Sequence, residues 1–270
     1  MTDPQSQSFR VGHVLSVGFA QVFRNIVPFG GTALIVMLPA AAIVQALRLV
    51  ELSVSQSIVL SFASVTLSFL FAYVATAGIA HGAIGALRGE RPQLGDCLAA
   101  AIGVVFPTLG IAGLVALAVV GCVLPGILLG LLASSGFSYL LFFVSLVPVL
   151  ALLTIWWLAV PACAVERPGV VASLRRSAAL TKGERWRAFG IIVVVMLINW
   201  GLSMLANILG AQLYAIGGST IAGAVAGGLV ALIVTAFHAA LNAVMAAVAY
   251  HDLRAAKEGL GVEPIAAVFD

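Results

Sequence analysis

The run Cys97–Val165, CLAAAIGVVFPTLGIAGLVALAVVGCVLPGILLGLLASSGFSYLLFFVSLVPVLALLTIWWLAVPACAV, continues for 69 residues without an Asp, Glu, Lys or Arg. A helix needs about 20 apolar residues to cross the hydrocarbon core of a bilayer. The run therefore holds two crossings and the turn between them. Three other uncharged intervals flank it: Asn25–Leu47 with 23 residues, Leu52–Leu87 with 36 and Ala188–His251 with 64. One crossing fits each of the two shorter intervals and two fit the last, which predicts six transmembrane helices and an even number of passes.

Bulk composition agrees. Hydrophobic residues make up 62% of the chain and charged residues 9%, with a mean hydropathy of +1.17. A soluble domain carries about 25% charged residues, so a soluble surface is excluded. The 28 glycines are scattered through apolar runs, as in helices packed closely in lipid. The expected fold class is all-α: a polytopic membrane helix bundle of six transmembrane helices plus amphipathic interfacial helices. It forms a single integral membrane domain over residues 1–270, with an interfacial N-terminal helix in 1–25, a basic cytoplasmic elbow at 166–187 and a cytoplasmic tail at 251–270.

Cys97, Cys122 and Cys163 show neither a CxxC pair nor metal-ligand spacing and read as buried thiols. No metal and no cofactor is expected. Leu38-Pro39-Ala40-Ala41-Ala42 mimics a signal-peptide cleavage site. The preceding stretch is too long and polar for a leader, so the first crossing is read as retained.

Charge fixes an expected orientation. Alternating the charged bunches across the membrane puts twelve of the 13 basic residues on one side and only Arg48 on the other. By the positive-inside tendency both termini are cytoplasmic, in a bacterial inner membrane. Within Ser8–Arg24, residues Val11, Val14, Leu15, Phe19, Val22 and Phe23 make one helical stripe, expected to lie in the interface. The crossings are placed at about Val27–Leu47, Ile58–Ile79, part of Ala99–Val123, Tyr139–Ala162, Phe189–Leu209 and Thr220–Tyr250. Residues 124–136 read equally as an outer extension, a re-entrant turn or the start of the fourth helix.

Polar residues inside the spans form stripes. Ser57, Ser61, Ser64 and Ser68 share a face of the second helix, read as a packing seam. Asn199, Ser203 and Asn207 recur on the fifth helix, and Thr235, His238 and Asn242 on the sixth. In an antiparallel hairpin Asn199 falls opposite His238, and Ser203 opposite Thr235, so the seams are placed to face one another. An intramembrane histidine is a candidate functional residue, with Asn199 as its expected partner; neutral interhelical glue is the structural alternative. Gly126–Gly130 and Gly223–Gly227 are GxxxG patterns, open to homo-oligomer formation but read as packing within one chain.

The elbow, Glu166–Arg187, holds six basic residues against two acidic ones, a net +4. Arg175, Arg176, Lys182, Arg185 and Arg187 are the candidate lipid-headgroup residues, because guanidinium groups suit phosphate. Anionic membrane phospholipids are the expected partners; topology determination is the plainer role. In the tail, Arg254 and Glu258 are spaced for a helical pair, and Ile265, Val268 and Phe269 form a short apolar stripe.

Three stretches together resemble a known family: Phe9–Phe29 (FRVGHVLSVGFAQVFRNIVPF), Ala159–Gly190 (AVPACAVERPGVVASLRRSAALTKGERWRAFG) and Tyr250–Asp270 (YHDLRAAKEGLGVEPIAAVFD). The likeness is to the bacterial multi-pass family named for the membrane domain of glycerophosphoryl diester phosphodiesterases. Its most specific element is P-A…E-R-x-G…L-R-R-S…L-T-x-G-x-x-W-R, here Pro161 to Arg187. The resemblance implies a six-helix inner-membrane protein and covers the membrane part alone. Phosphodiester hydrolysis of that type needs paired histidines and clustered carboxylates on a metal. Here His13, His81, His238 and His251 are dispersed along the chain. No nucleophile–base pair, phosphate loop or nucleic-acid surface is present in the sequence. The expectation is a non-catalytic membrane protein of envelope or membrane-lipid organisation acting through the elbow. The alternative is a small-solute or lipid transporter or channel using the seams of the fifth and sixth helices.

Overall fold

The computed structural model describes residues 9–48, 53–132, 135–217 and 221–258. Among them are ten α-helices and no strand: α1 (Val11–Arg24), α2 (Ile26–Arg48), α3 (Val54–Leu87), α4 (Leu94–Gly103), α5 (Val105–Leu132), α6 (Ser135–Trp156), α7 (Ala159–Glu166), α8 (Val170–Thr181), α9 (Arg185–Gly217) and α10 (Ile221–Glu258). Six spans are long and apolar enough to cross a membrane, carried by α2, α3, α5, α6 with α7, α9 and α10. The chain is an all-α, multi-pass integral membrane protein. Large apolar side chains such as Phe62, Phe106, Val27 and Leu117 are exposed around the bundle, as a lipid-facing surface requires.

α10 is the axis. Ala239–Tyr250 is buried at every position except Asn242, and a helix apolar all round belongs in a core. Its alanines let neighbours approach closely. Val14 and Val22 of α1, Phe29 and Ala33 of α2, Ala75 and Ile79 of α3, and Ile191 and Val195 of α9 pack in that core. The N-terminal stripe is thus docked on α10: Gly18 faces Met245 so closely that a Cβ there would overlap the Met245 sulfur. His13 Nε2 lies 3.8 Å from Asp252 Oδ2, which puts α1 and the end of α10 at the same end of the bundle.

A second core joins Ala77 of α3 to Val104, Ile111 and Val115 along α4 and α5, Val160 and Cys163 of α7, and Leu174 of α8. Among the described residues of 124–136, both flanks are helical. α5 continues through Pro125 to Leu132 and α6 begins at Ser135, with 133–134 outside the described residues. Two local features are absent from the sequence reading. α4 is a separate short helix, and the fourth crossing is broken at Trp157–Leu158, between α6 and α7.

The serine-bearing face of α3 packs in the first core at Ala72 and Ala75, but its outer end does not pack within the chain. Ser57 and Ser61 are exposed, and their hydroxyls donate to the carbonyls of Ser53 (3.0 Å) and Ser57 (2.7 Å) on their own helix. A hydroxyl satisfied by the preceding turn can face lipid without a partner helix, so no seam is needed. The GxxxG reading is sharper. A Cβ on Gly227 would stand 3.7 Å from the Gly210 carbonyl oxygen, so this glycine serves close packing of α9 on α10 within one chain. Ile265, Val268 and Phe269 lie outside the described residues.

Candidate functional site

The motif run Pro161–Arg187 folds into one joint at the charged end. α7 ends at Glu166, and Arg167 adopts the left-handed conformation (φ 50°). Gly169 follows at φ 91°, a value that favours glycine, and α8 starts at Val170. Pro168 therefore precedes the helix instead of occupying its first turn. Ser173 Oγ donates to the Gly169 carbonyl at 2.7 Å. At the other end Gly183, also at φ 91°, turns the chain into α9. Lys257 Nζ donates to the carbonyls of Ala179 (2.8 Å) and Lys182 (2.7 Å), satisfying orphan acceptors at the end of α8.

Ser177 closes the break between α6 and α7. Its hydroxyl accepts the Leu158 N–H at 3.1 Å and donates to the Ile155 carbonyl at 2.7 Å. Leu158 and Ser177 are fully buried, where an unpaired backbone group would be costly. Thr181, also buried, reaches the same carbonyl at 3.5 Å.

Arg176 faces inward. Its Nε donates to Glu166 Oε1 and Oε2 at 3.0 Å each, and its Nη2 to Oε1 at 2.9 Å. Nη2 also contacts Glu258. Tyr250 donates its hydroxyl to Glu166 Oε1 at 2.5 Å, and Arg254 Nε donates to Glu258 Oε2 at 2.9 Å. Two carboxylates thus face two guanidiniums and a phenol, tying α7 and α8 to α10. The bonds to Glu166, opposed by desolvation and assisted by those to Glu258, raise the Arg176 pKa above its ordinary value.

The five candidate headgroup residues therefore separate. Arg176 is internal, and Arg187 pairs with Glu184 at 2.8 Å. Arg175, Lys182 and Arg185 are exposed, and among the described residues no ion pair engages them. Trp186, 86% exposed, stands beside Arg185 with its ring edge-on to Phe189.

The intramembrane seams are also redistributed. Thr235 Oγ1 donates to Ala231 O (2.7 Å), Asn242 Nδ2 to His238 O (2.7 Å) and Asn207 Nδ2 to Ser203 O (2.8 Å). Each side chain is satisfied on its own helix. The antiparallel register is as expected, since Gly210 and Gly227 touch and share the number relation of Asn199 with His238. Asn199 and His238 nevertheless form no bond: Asn199 Oδ1 and His238 Nε2 are buried without a partner. Instead, Thr235, His238 and Asn242 line a cavity of about 350 Å³ with Tyr73, Thr76 and Trp156, whereas Asn199, Ser203 and Asn207 do not border it. It lies between the two cores.

Sequence spacing missed Tyr250 and Glu258 as partners of the elbow, and Ser177 as the patch on a broken helix. It also treated His13 and His251 as separate, although both approach Asp252, at 3.8 and 3.5 Å. The only signal available was the motif itself, which places Glu166, Arg176 and Ser177 in one run. A scan against protein-family models, a search of curated proteins and a search of solved structures find no match to this chain.

Proposed function

We propose that the protein is a non-catalytic component of the bacterial inner membrane that organises membrane lipid, with both termini cytoplasmic. In this reading the elbow is a rigid cationic corner against anionic headgroups. One observation carries it: the inward side chains of α8 are locked to α6, α7 and α10, while Arg175, Lys182 and Arg185 stay exposed beside Trp186. Each basic residue close to an anionic surface contributes about 1 kcal/mol. Three presented on an ordered backbone lose only side-chain freedom on binding. The saturated carboxylates of Glu166 and Glu258 support a structural role. Membership of the membrane-domain family, resting on Pro161–Arg187, belongs to the same proposal.

The test is retention of phosphatidylglycerol by the purified protein, measured by native mass spectrometry. The triple substitution Arg175→Gln, Lys182→Gln, Arg185→Gln should lower retention at least tenfold with thermal unfolding unchanged. Equal retention rejects the reading.

A second reading, a transporter of small solutes or lipids, is favoured by the cavity that reaches His238. Its test is solute or lipid flux in proteoliposomes, which should fall in His238→Ala.

A further inference from the structure

At the charged end, away from the elbow's outer face, α3, α4 and Arg167 enclose a second cavity of about 460 Å³. That volume is in the range of small-molecule sites, about 300–1,000 Å³. Two glycines of α3 let Cys97 and Glu90 lie close against that helix along the cavity's lining. A Cβ on Gly82 would stand 2.5 Å from Cys97 Sγ, and one on Gly85 would stand 2.7 Å from Glu90 Oε2. Around the rim are His81, Glu90, Arg91, Asp96 and Arg167. Arg167 arrives from the left-handed turn after α7, and its Nη2 would lie 3.6 Å from a Cβ on Gly103.

The ring is charge-balanced, two carboxylates against two guanidiniums, yet among the described residues none of these five side chains pairs with another. The charged network of Glu166, Arg176, Arg254 and Glu258, on the other side of Arg167, satisfies itself. His81, Glu90, Arg91, Asp96 and Arg167 are all exposed, so these charges are open to a ligand. Gly82 lies five residues before the end of α3, about 7 Å along a helix axis. The apolar span carried by α3 ends at Leu87, which puts the cavity at the end of a candidate crossing.

We propose that this cavity binds the headgroup of an aminophospholipid, with the phosphate held by Arg91 and Arg167 and the primary ammonium by Glu90 and Asp96. Guanidinium matches phosphate oxygens in paired hydrogen bonds. A primary ammonium offers three N–H donors to the carboxylates, whereas a trimethylated one offers none. The two carboxylates offset the two guanidiniums, so the ring matches a zwitterion better than a net anion. The site shares only Arg167 with the elbow and does not require the exposed Arg175, Lys182 and Arg185 to bind lipid.

The experiment uses the full chain, purified, delipidated and offered equal amounts of phosphatidylethanolamine, phosphatidylcholine and phosphatidylglycerol, with retained lipid counted by native mass spectrometry. The wild type should keep at least fivefold more phosphatidylethanolamine than phosphatidylcholine. Glu90→Gln with Asp96→Asn should bring that ratio to about one, and Arg91→Gln with Arg167→Gln should lose both lipids. Asp96→Asn alone, at an exposed position, should lower the ratio with thermal unfolding unchanged. Equal retention of the two lipids by the wild type overturns the proposal, as does a preference that survives the carboxylate substitutions. Binding of soluble phosphoethanolamine without any preference for the lipid overturns it too, assigning the chemistry to a free aminophosphate. Phosphatidylglycerol retention reads the elbow separately, so either failure is recognisable.

Discussion

Ser177 and Leu158, 19 residues apart, share a hydrogen bond of 3.1 Å across the interruption of the fourth crossing. The hydroxyl also supplies the Ile155 carbonyl, at 2.7 Å, so one side chain completes both sides of a broken helix. Ser177→Ala leaves the buried Leu158 N–H unpaired and the Ile155 carbonyl with only the 3.5 Å contact of Thr181, at a cost of about 1–3 kcal/mol. Ser177→Val should cost more, because added methyl groups press on Leu158. Thermal unfolding in detergent reads the effect, and an unchanged midpoint for Ser177→Ala would remove this role.

Arg176 should be among the least replaceable charged residues at this end. Its side chain is 27% exposed and that of Glu166 21%, so truncation leaves a poorly solvated carboxylate. Arg176→Gln is expected to cost about 1.5–3 kcal/mol, and Arg176→Lys less, since it keeps the charge but loses the paired geometry. The pH dependence follows from the sign of the shift. Because the folded-state pKa is raised above the ordinary guanidinium value, the contribution is complete below that value and is lost only above it. Stability attributable to Arg176, the wild type minus Arg176→Gln, should be flat from about pH 7 to pH 10. A decline across that window would refute the assignment.

Gly78 sets the distance between α3 and α4. A methyl group there would overlap the Cys97 carbonyl oxygen and approach Ala101 Cβ at 2.8 Å, and backbone cannot rotate away as a side chain does. Gly78→Val should destabilise by about 1–3 kcal/mol. At Gly190 in α9, by contrast, an added Cβ would meet nothing within 4 Å. Gly190→Ala should therefore be neutral, or stabilising by up to about 1 kcal/mol through helix propensity. The pair forms a matched test by thermal unfolding.

Asn199 offers the opposite expectation to Ser177. Its Oδ1 is buried without a partner, so an apolar replacement removes an unsatisfied group. Asn199→Leu should leave stability unchanged or raise it by about 1 kcal/mol. A loss comparable with that of Ser177→Ala would show that Asn199 is bonded in the membrane, and would restore its expected partnership with His238.

The six spans were legible because lipid imposes a one-dimensional requirement, sustained apolarity over about 20 residues, which Asp252 or Arg88 visibly ends. The register of α9 against α10 was legible too, because two long antiparallel helices joined by a short turn leave little freedom. The pairing of Asn199 with His238 was not, since matching depth says nothing about rotation of each helix about its own axis. The elbow shows the same division. Its net charge was evident, but Arg176 and Arg175 are adjacent in sequence and point to opposite environments.

By itself the sequence determined that this chain lives in a membrane, how many helices cross it, and which charged segments gather at one end. Those properties sum over residues and need no knowledge of neighbours. Only the tertiary structure decided which charges are paired internally, where a crossing breaks and is patched, and which residues line a cavity. Each depends on side chains far apart in the chain, such as Glu166 and Tyr250 at a separation of 84 residues, meeting at a distance that only packing sets.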